Sequence, residues 1–148
     1  MSLEKRVMDD MKTAMKAKDK VALRSIRSLK AEILKFKTSG TGEELTAELE
    51  IKMVQKMVKQ RQESYDVYVK QGRDDLATPE KEEMEILAKY LPEQLGESAL
   101  KDVISKVIAE VGASSMRDMG KVMGIVSKQL AGKADGKMIS TMVKLLLS

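Results

Sequence analysis

Residues 118–136 read DMGKVMGIVSKQLAGKADG, with the apolar spacing of a helix and four of the chain's nine glycines. Three of these glycines are followed directly by lysine. A glycine inside a helix costs about 1 kcal/mol relative to alanine. A helix that keeps several glycines therefore needs a reason beyond its own backbone preference.

The spacing predicts a helix over residues 115–131 with two different faces, at about 100° per residue. One face is a broad apolar arc that we expect to pack on a core: Met119, Val122, Met123, Ile125, Val126 and Leu130. The other is a strip of small residues: Gly120, Gly124, Ser127 and Ala131. Cations border this strip or follow it: Arg117, Lys121, Lys128, Lys133 and Lys137. The N-terminus of the next helix adds free N–H groups that an anion would accept.

Two interpretations of this strip stay open. In the first, Gly120 and Gly124 let a neighbouring helix pack closely, and the lysines are simply solvated. In the second, the strip accepts a phosphodiester backbone, which the lysines bind without reading the base sequence. With one Phe, three Tyr and no Trp, stacking on single-stranded bases is disfavoured, and a structured RNA fits better.

The composition predicts an all-α protein. Helix formers dominate, with twelve methionines, while β-branched and aromatic runs are scarce. The absence of cysteine and histidine removes disulfides, thiolate and imidazole chemistry and the usual zinc, haem and iron–sulfur ligands. We find no acid–base pair, expect no metal or cofactor, and do not expect the chain to be an enzyme on its own. No apolar run reaches the roughly 20 residues that span a bilayer, so we expect a cytoplasmic protein with no membrane contact.

The net charge of +4 is unevenly distributed. Residues 1–40 carry eleven basic and five acidic side chains, and residues 111–148 carry six basic and two acidic ones. Between them, residues 41–95 carry eight basic and thirteen acidic side chains. Two basic regions flank an acidic one, an asymmetry that permits binding to a polyanion.

Capping and turn signals divide the chain into seven helices. We predict helices over about 2–17, from a cap at Asp19 to Lys37, from a cap at Thr46 to the C′ glycine Gly72, and from Thr78-Pro79 to Tyr90. Three more follow over about 98–110, 115–131 and 135–147, with Asp135 placed to cap the last of them. LPEQLGES (91–98) is the predicted boundary between a four-helix domain, residues 1–92, and a three-helix domain, residues 96–148.

Several segments together closely resemble the YqeY family, small bacterial proteins of the GatB/YqeY group. They are LPEQL (91–95), AEVGASS (109–115), DMGKVMG (118–124) and GKADG (132–136), with QRQES (60–64) and the segment at 72–76 extending the resemblance over nearly the whole chain. The C-terminal domain is also similar to the tail domain of the B subunit of tRNA-dependent amidotransferases. Those enzymes convert Glu-tRNA(Gln) or Asp-tRNA(Asn) to the amide, and their tail helps to hold the tRNA.

The resemblance implies that the C-terminal helix and turn contact tRNA. The implied residues are Gly120, Lys121, Gly124, Gly132, Lys133 and Gly136. Two positions depart from the tail pattern, since Ala131 stands where lysine is frequent and Gly136 where proline is frequent. A chain of 148 residues is also too short to include the catalytic body of the amidotransferase.

Three further features have competing interpretations. Lys20, Arg24, Arg27 and Lys35 form one stripe of the second helix, either a solvated face or a second basic surface. Arg61 lies within the apolar arc of the third helix and either reaches an acid or solvent with its head group or forms an anion site between the domains. Methionines recur at helical spacing, which favours core filling, with adaptable partner grooves as the alternative.

The sequence therefore predicts a non-catalytic accessory module that binds tRNA or another RNA. The first alternative is a protein-interaction adaptor that does not bind nucleic acid. The second is a subunit that assists glutamine-dependent amide transfer within an amidotransferase complex.

Overall fold

The computed structural model describes residues 2–148, which form seven α-helices and one short 3-10 turn, without any strand. The predicted all-α class is confirmed. The chain forms two compact units, Met1–Leu91 and Pro92–Ser148. Residues 92–95 thus belong to the second unit, although the sequence assigns them to the first domain and the linker.

The N-terminal unit contains helices α1 (Leu3–Ala17), α2 (Lys20–Lys37), α3 (Ala47–Lys70) and α4 (Asp74–Ala88). Local signals explain most of these bounds, because short polar side chains accept from the free N–H groups of a first turn. The Asp19 carboxylate accepts from the Ala22 amide at 3.1 Å. The Thr46 hydroxyl accepts from the Leu49 amide at 3.2 Å. Gly72 follows α3 with a φ of +69°, the left-handed conformation predicted for it.

The predicted start of α4 at Thr78-Pro79 is wrong. The helix begins at Asp74, so that Pro79 lies inside it. Pro79 has no backbone N–H to donate, so one hydrogen bond of the helix is missing. Because Pro79 lies near the N-terminus of α4, this bond would be among the first in the helix. The earlier start is favoured by two carboxylates, Asp74 and Asp75, at the positive end of the helix dipole. The Arg73 guanidinium also pairs with Asp75 through two hydrogen bonds, of 3.1 and 3.0 Å.

The apolar faces of these helices enclose one core. Its buried members are Leu3, Val7, Ala14, Ile26, Leu29, Ile33, Val54, Met57, Leu87 and Tyr90. Tyr90, just after α4, contacts α1 in two ways. Its hydroxyl donates to the Asp10 carboxylate, and its ring centroid lies 4.8 Å from the guanidinium carbon of Arg6. Burial, and then the hydrogen bond to Asp10, raise the pKa of Tyr90, so the phenol stays a donor.

The C-terminal unit contains α5 (Glu97–Val111), a 3-10 turn (Met116–Asp118), α6 (Met119–Gln129) and α7 (Gly136–Leu147). The helix predicted over residues 115–131 is therefore a 3-10 turn followed by a shorter α-helix. Ser115 and Asp118 form a capping box at this turn, which satisfies free backbone N–H groups where the helical segment begins.

The core of this unit draws on all three α-helices. Its buried members are Leu100, Ile104, Val107, Val122, Val126, Leu130, Ala134, Ile139, Met142, Val143 and Leu147. Across residues 2–148, none of the helices combines the length and hydropathy that a membrane span requires.

Candidate nucleic-acid interface

Packing on the core fixes the orientation of α6. Val122 and Val126 are completely buried and Leu130 is 3% exposed, as expected for the apolar arc. Gly120, Gly124 and Ser127 are exposed on the other side. A Cβ atom built at Gly120 or Gly124 would have nothing within 4 Å. Close packing of another helix of this unit therefore does not account for the two glycines.

The residues predicted to contact RNA lie along α6 and the segment that follows it. We refer to them as the glycine–lysine surface: Arg117, Gly120, Lys121, Gly124, Lys128, Gly132, Lys133, Gly136 and Lys137. All are exposed except Gly132, which is buried in the turn between α6 and α7. The cations thus border an open backbone strip on α6 and continue into the next turn.

The positive charge of this surface is not neutralised within its own unit. In residues 92–148, all of which the structure describes, no lysine or arginine forms a salt bridge. The two acids of residues 111–148 are instead used at helix starts. Asp118 accepts from the Ser114 amide at 2.9 Å, and Asp135 accepts from the Lys137 amide at 3.3 Å. The lysines therefore remain available to an external anion.

The turn that carries Lys133 is held from the N-terminal end of the unit. Gly132 has a φ of +77°, in the left-handed region that glycine adopts without strain. Its carbonyl accepts from the Gln94 side-chain amide at 2.6 Å, and the Lys133 carbonyl accepts from the Leu95 amide at 2.8 Å. Sequence reasoning placed LPEQL at a domain boundary and missed this role of Gln94, which no local pattern in the sequence signals.

Two details differ from the single helix predicted over residues 115–131. Arg117 lies in the 3-10 turn before α6 and not on the helix that carries the strip. Ala131 lies beyond the end of α6 and does not extend the strip along the helix. The cap predicted for the last helix is confirmed, since the Asp135 carboxylate caps the N-terminus of α7. Its negative charge opposes the anion binding expected at the same N-terminus.

The second basic stripe, Lys20, Arg24, Arg27 and Lys35, is exposed along α2. Arg24 reaches α4, where its guanidinium donates to the Pro79 carbonyl at a long 3.5 Å. The opposite face of α2 is buried through Ile26, Leu29 and Ile33, as the periodicity predicts.

Arg61 contacts two acids of its own unit. Its Nη1 atom lies 3.2 Å from Glu80 Oε2 and 3.9 Å from Glu83 Oε2. Glu83 is only 8% exposed, so the guanidinium compensates a carboxylate that has left water. These contacts are ion pairs without hydrogen-bond geometry, since Glu80 Oε2 is buried without a hydrogen-bond partner. Two nearby carboxylates still balance the charge of Arg61, which favours its structural interpretation over an anion site.

Within the described residues, no group of three acidic side chains is placed to hold a metal ion. No such cluster borders the glycine–lysine surface in the part of the chain that the structure describes.

Fold and surface together define a class of protein: a small all-α chain of two helical units, the second with an exposed basic helix. The chain belongs to the YqeY-like family, whose model matches residues 4–147. This confirms the family resemblance drawn from the sequence motifs.

Curated fungal relatives carry the name "Altered inheritance of mitochondria protein 41, mitochondrial". The Clavispora lusitaniae protein is 34% identical over 121 residues, which cover 82% of this chain and 69% of the relative. The Pyrenophora tritici-repentis protein is 29% identical over 143 residues, 94% of this chain and 77% of the relative. The Saccharomyces cerevisiae protein is 30% identical over 132 residues, 89% of this chain and 70% of the relative. Their name refers to mitochondria, whereas the sequence of this chain predicts a cytoplasmic protein.

We predict that Gly124→Ala stabilises the C-terminal unit by about 1 kcal/mol, because alanine favours the helix and its Cβ meets open space. The matched control is Gly112→Ala, which should destabilise the unit, since Gly112 has a φ of +67°. Amide hydrogen exchange at Val126 in the full chain measures both changes. A slower exchange in Gly112→Ala or a faster one in Gly124→Ala would show that the packing described here is wrong.

We predict that Arg61→Met lowers the free energy of unfolding of the N-terminal unit by about 1–3 kcal/mol, because it leaves Glu83 buried without a counter-charge. Adding Glu80→Gln and Glu83→Gln should recover most of this stability. Urea unfolding followed by tyrosine fluorescence reports on this unit alone, since Tyr65, Tyr68 and Tyr90 are the only tyrosines and the chain has no tryptophan.

Arg73→Met is the control for the Arg61 variant, because Arg73 pairs with Asp75 while both side chains are exposed. We expect its unfolding midpoint to stay close to that of the wild type. The account of Arg61 fails if Arg61→Met is as stable as Arg73→Met, or if the two glutamines restore nothing.

Proposed function

We propose that this protein is a non-catalytic RNA-binding accessory module, with tRNA as its ligand and the glycine–lysine surface as its contact. The observation that carries the proposal is the pairing of two features on α6. Gly120 and Gly124 leave open space at the helix surface, and the lysines beside them have no carboxylate partner in the unit.

The energetics support an external partner for this strip. Glycine inside a helix costs about 1 kcal/mol relative to alanine, and no packing within the C-terminal unit offsets that cost at Gly124. A backbone that approaches α6 closely would use the space that a side chain would fill. Phosphates at that distance would meet Lys121 and Lys128, which lie on the same side of the helix.

The chemistry of the surface suits the sugar–phosphate backbone better than the bases. Residues 92–148 contain no aromatic side chain, so bases cannot stack on this unit. Lysine contacts to phosphate give an affinity that depends on salt and little on sequence. A folded RNA with fixed phosphate positions is therefore the expected ligand.

The similarity of the C-terminal motifs to the amidotransferase tail domain supports tRNA among folded RNAs. In that enzyme the tail helps to hold the tRNA while chemistry occurs elsewhere, and the proposed module would act in the same way. The cytoplasm predicted from the sequence and the mitochondria in the relatives' name both contain tRNA, so the proposal applies in either compartment.

The test is binding of the full chain to bulk tRNA between about 50 and 200 mM salt. The variant replaces Lys121, Lys128 and Lys133 with alanine. We expect weaker binding and a shallower dependence of log K on log salt, by roughly 0.7–0.9 for each phosphate that the variant no longer binds.

The matched control replaces three other exposed lysines of the same unit, Lys101, Lys106 and Lys144. It carries the same change in net charge and should keep the wild-type slope. If both triple variants bind tRNA equally weakly, the loss of affinity comes from net charge alone. That result would contradict binding through a defined surface. Absence of tRNA binding by the wild type at the low-salt end would refute the proposal altogether.

A further inference from the structure

A small apolar pocket lies between α1 and α2 in the N-terminal unit. Its volume is about 80 Å³. Val7 and Ile33 form its buried floor, and Met8 and Leu34 form its walls. The pocket is too small for a typical small-molecule ligand, whose sites measure roughly 300–1,000 Å³. Its size suits a single aliphatic side chain.

The walls of this pocket are unusually exposed for large apolar residues. Met8 is 46% exposed and Leu34 is 60% exposed. Together with the floor they form a continuous apolar groove, which we call the α1–α2 groove. Covering these side chains would gain about 25 cal/mol for each Å² of apolar surface removed from water.

The groove is bordered by positive charge. Lys30 and Lys37 line it directly, and Arg27, seven residues before Leu34 and so on the same face of α2, is exposed. The one acid at the groove, Glu4, already pairs with Lys37. Lys30 and Arg27 form no salt bridge within residues 2–148. A complementary partner therefore brings an apolar side chain together with carboxylates.

We propose that the α1–α2 groove binds an acidic amphipathic helix of a partner protein. One aliphatic side chain of that helix enters the pocket between Met8 and Leu34. Carboxylates flanking it on the partner contact Lys30 and its neighbours on α2. This mode of binding places an apolar anchor in a groove and uses the charged rim for orientation and specificity.

This proposal assigns Lys30 and the apolar groove beside it to protein binding rather than to RNA. Phosphates would use the cations but would gain nothing from Met8 and Leu34. A flat anionic lipid surface would contact the exposed walls but would leave the recessed floor at Val7 and Ile33 empty. The proposal is independent of tRNA binding by the C-terminal unit.

The probe is a synthetic amphipathic helical peptide with leucine along one face and glutamate along the other. Two comparison peptides have a scrambled order of the same residues or lysine in place of glutamate. Fluorescence anisotropy measures binding to the full chain, and methyl NMR locates it at Met8 and Leu34. We expect the acidic amphipathic peptide to bind at least about tenfold more tightly than either comparison peptide.

Two variants test the groove, each with a matched control. Leu34→Gln and Lys30→Glu should each weaken binding about tenfold, and because both positions are exposed, circular dichroism should remain that of the wild type. Leu145→Gln changes a leucine with a similar exposure of 65% in the other unit. Lys59→Glu changes an exposed lysine of α3. Both controls should bind the peptide as the wild type does.

Several results would overturn the proposal. These are equal binding of the scrambled peptide, unchanged binding of Leu34→Gln, and equally weakened binding in the controls. Perturbation of the Met8 and Leu34 methyl groups by tRNA or by phosphatidylserine vesicles instead of the peptide would also overturn it. The variant lacking Lys121, Lys128 and Lys133 should bind the peptide normally, which separates this proposal from the proposed RNA function.

Discussion

Burial of the apolar arc of α6 determines where the glycine–lysine surface lies. Val122 and Val126 are completely enclosed by the C-terminal core, so the helix cannot rotate without exposing them. Gly120 and Gly124 are consequently held outward. The turn after α6 is fixed as well, since Gln94 and Leu95 bind the carbonyls of Gly132 and Lys133. The position of Lys133 is therefore a property of the fold.

The two units use their charges differently. In the N-terminal unit, Arg61 compensates the poorly exposed carboxylates of Glu80 and Glu83, and such an arginine serves stability. In the C-terminal unit, Asp118 and Asp135 accept from backbone amides at helix starts. Because these two carboxylates cap helices, the nearby lysines have no carboxylate partners. The result is a positively charged surface suited to phosphates.

Features set by neighbouring residues could be predicted from the sequence, including the caps at Asp19 and Thr46, the glycine after α3, and the buried face of α6. The start of α4 could not, because Thr78-Pro79 is a strong local signal that the acids at Asp74 and Asp75 override. The role of Gln94 and the partners of Arg61 depend on contacts between distant segments, which no periodicity encodes. The α1–α2 groove needs the pairing of two helices before Met8 and Leu34 form one surface.

The most direct test of the RNA proposal is an NMR titration of the isotope-labelled full chain with bulk tRNA at about 100 mM salt. The account predicts that the largest amide shifts occur at Gly120, Lys121, Gly124 and Ser127, with smaller ones at Lys133. Shifts confined to other parts of the chain, or no shifts at saturating tRNA, would contradict the RNA proposal. The exposed glycines of α6 would then have no explanation.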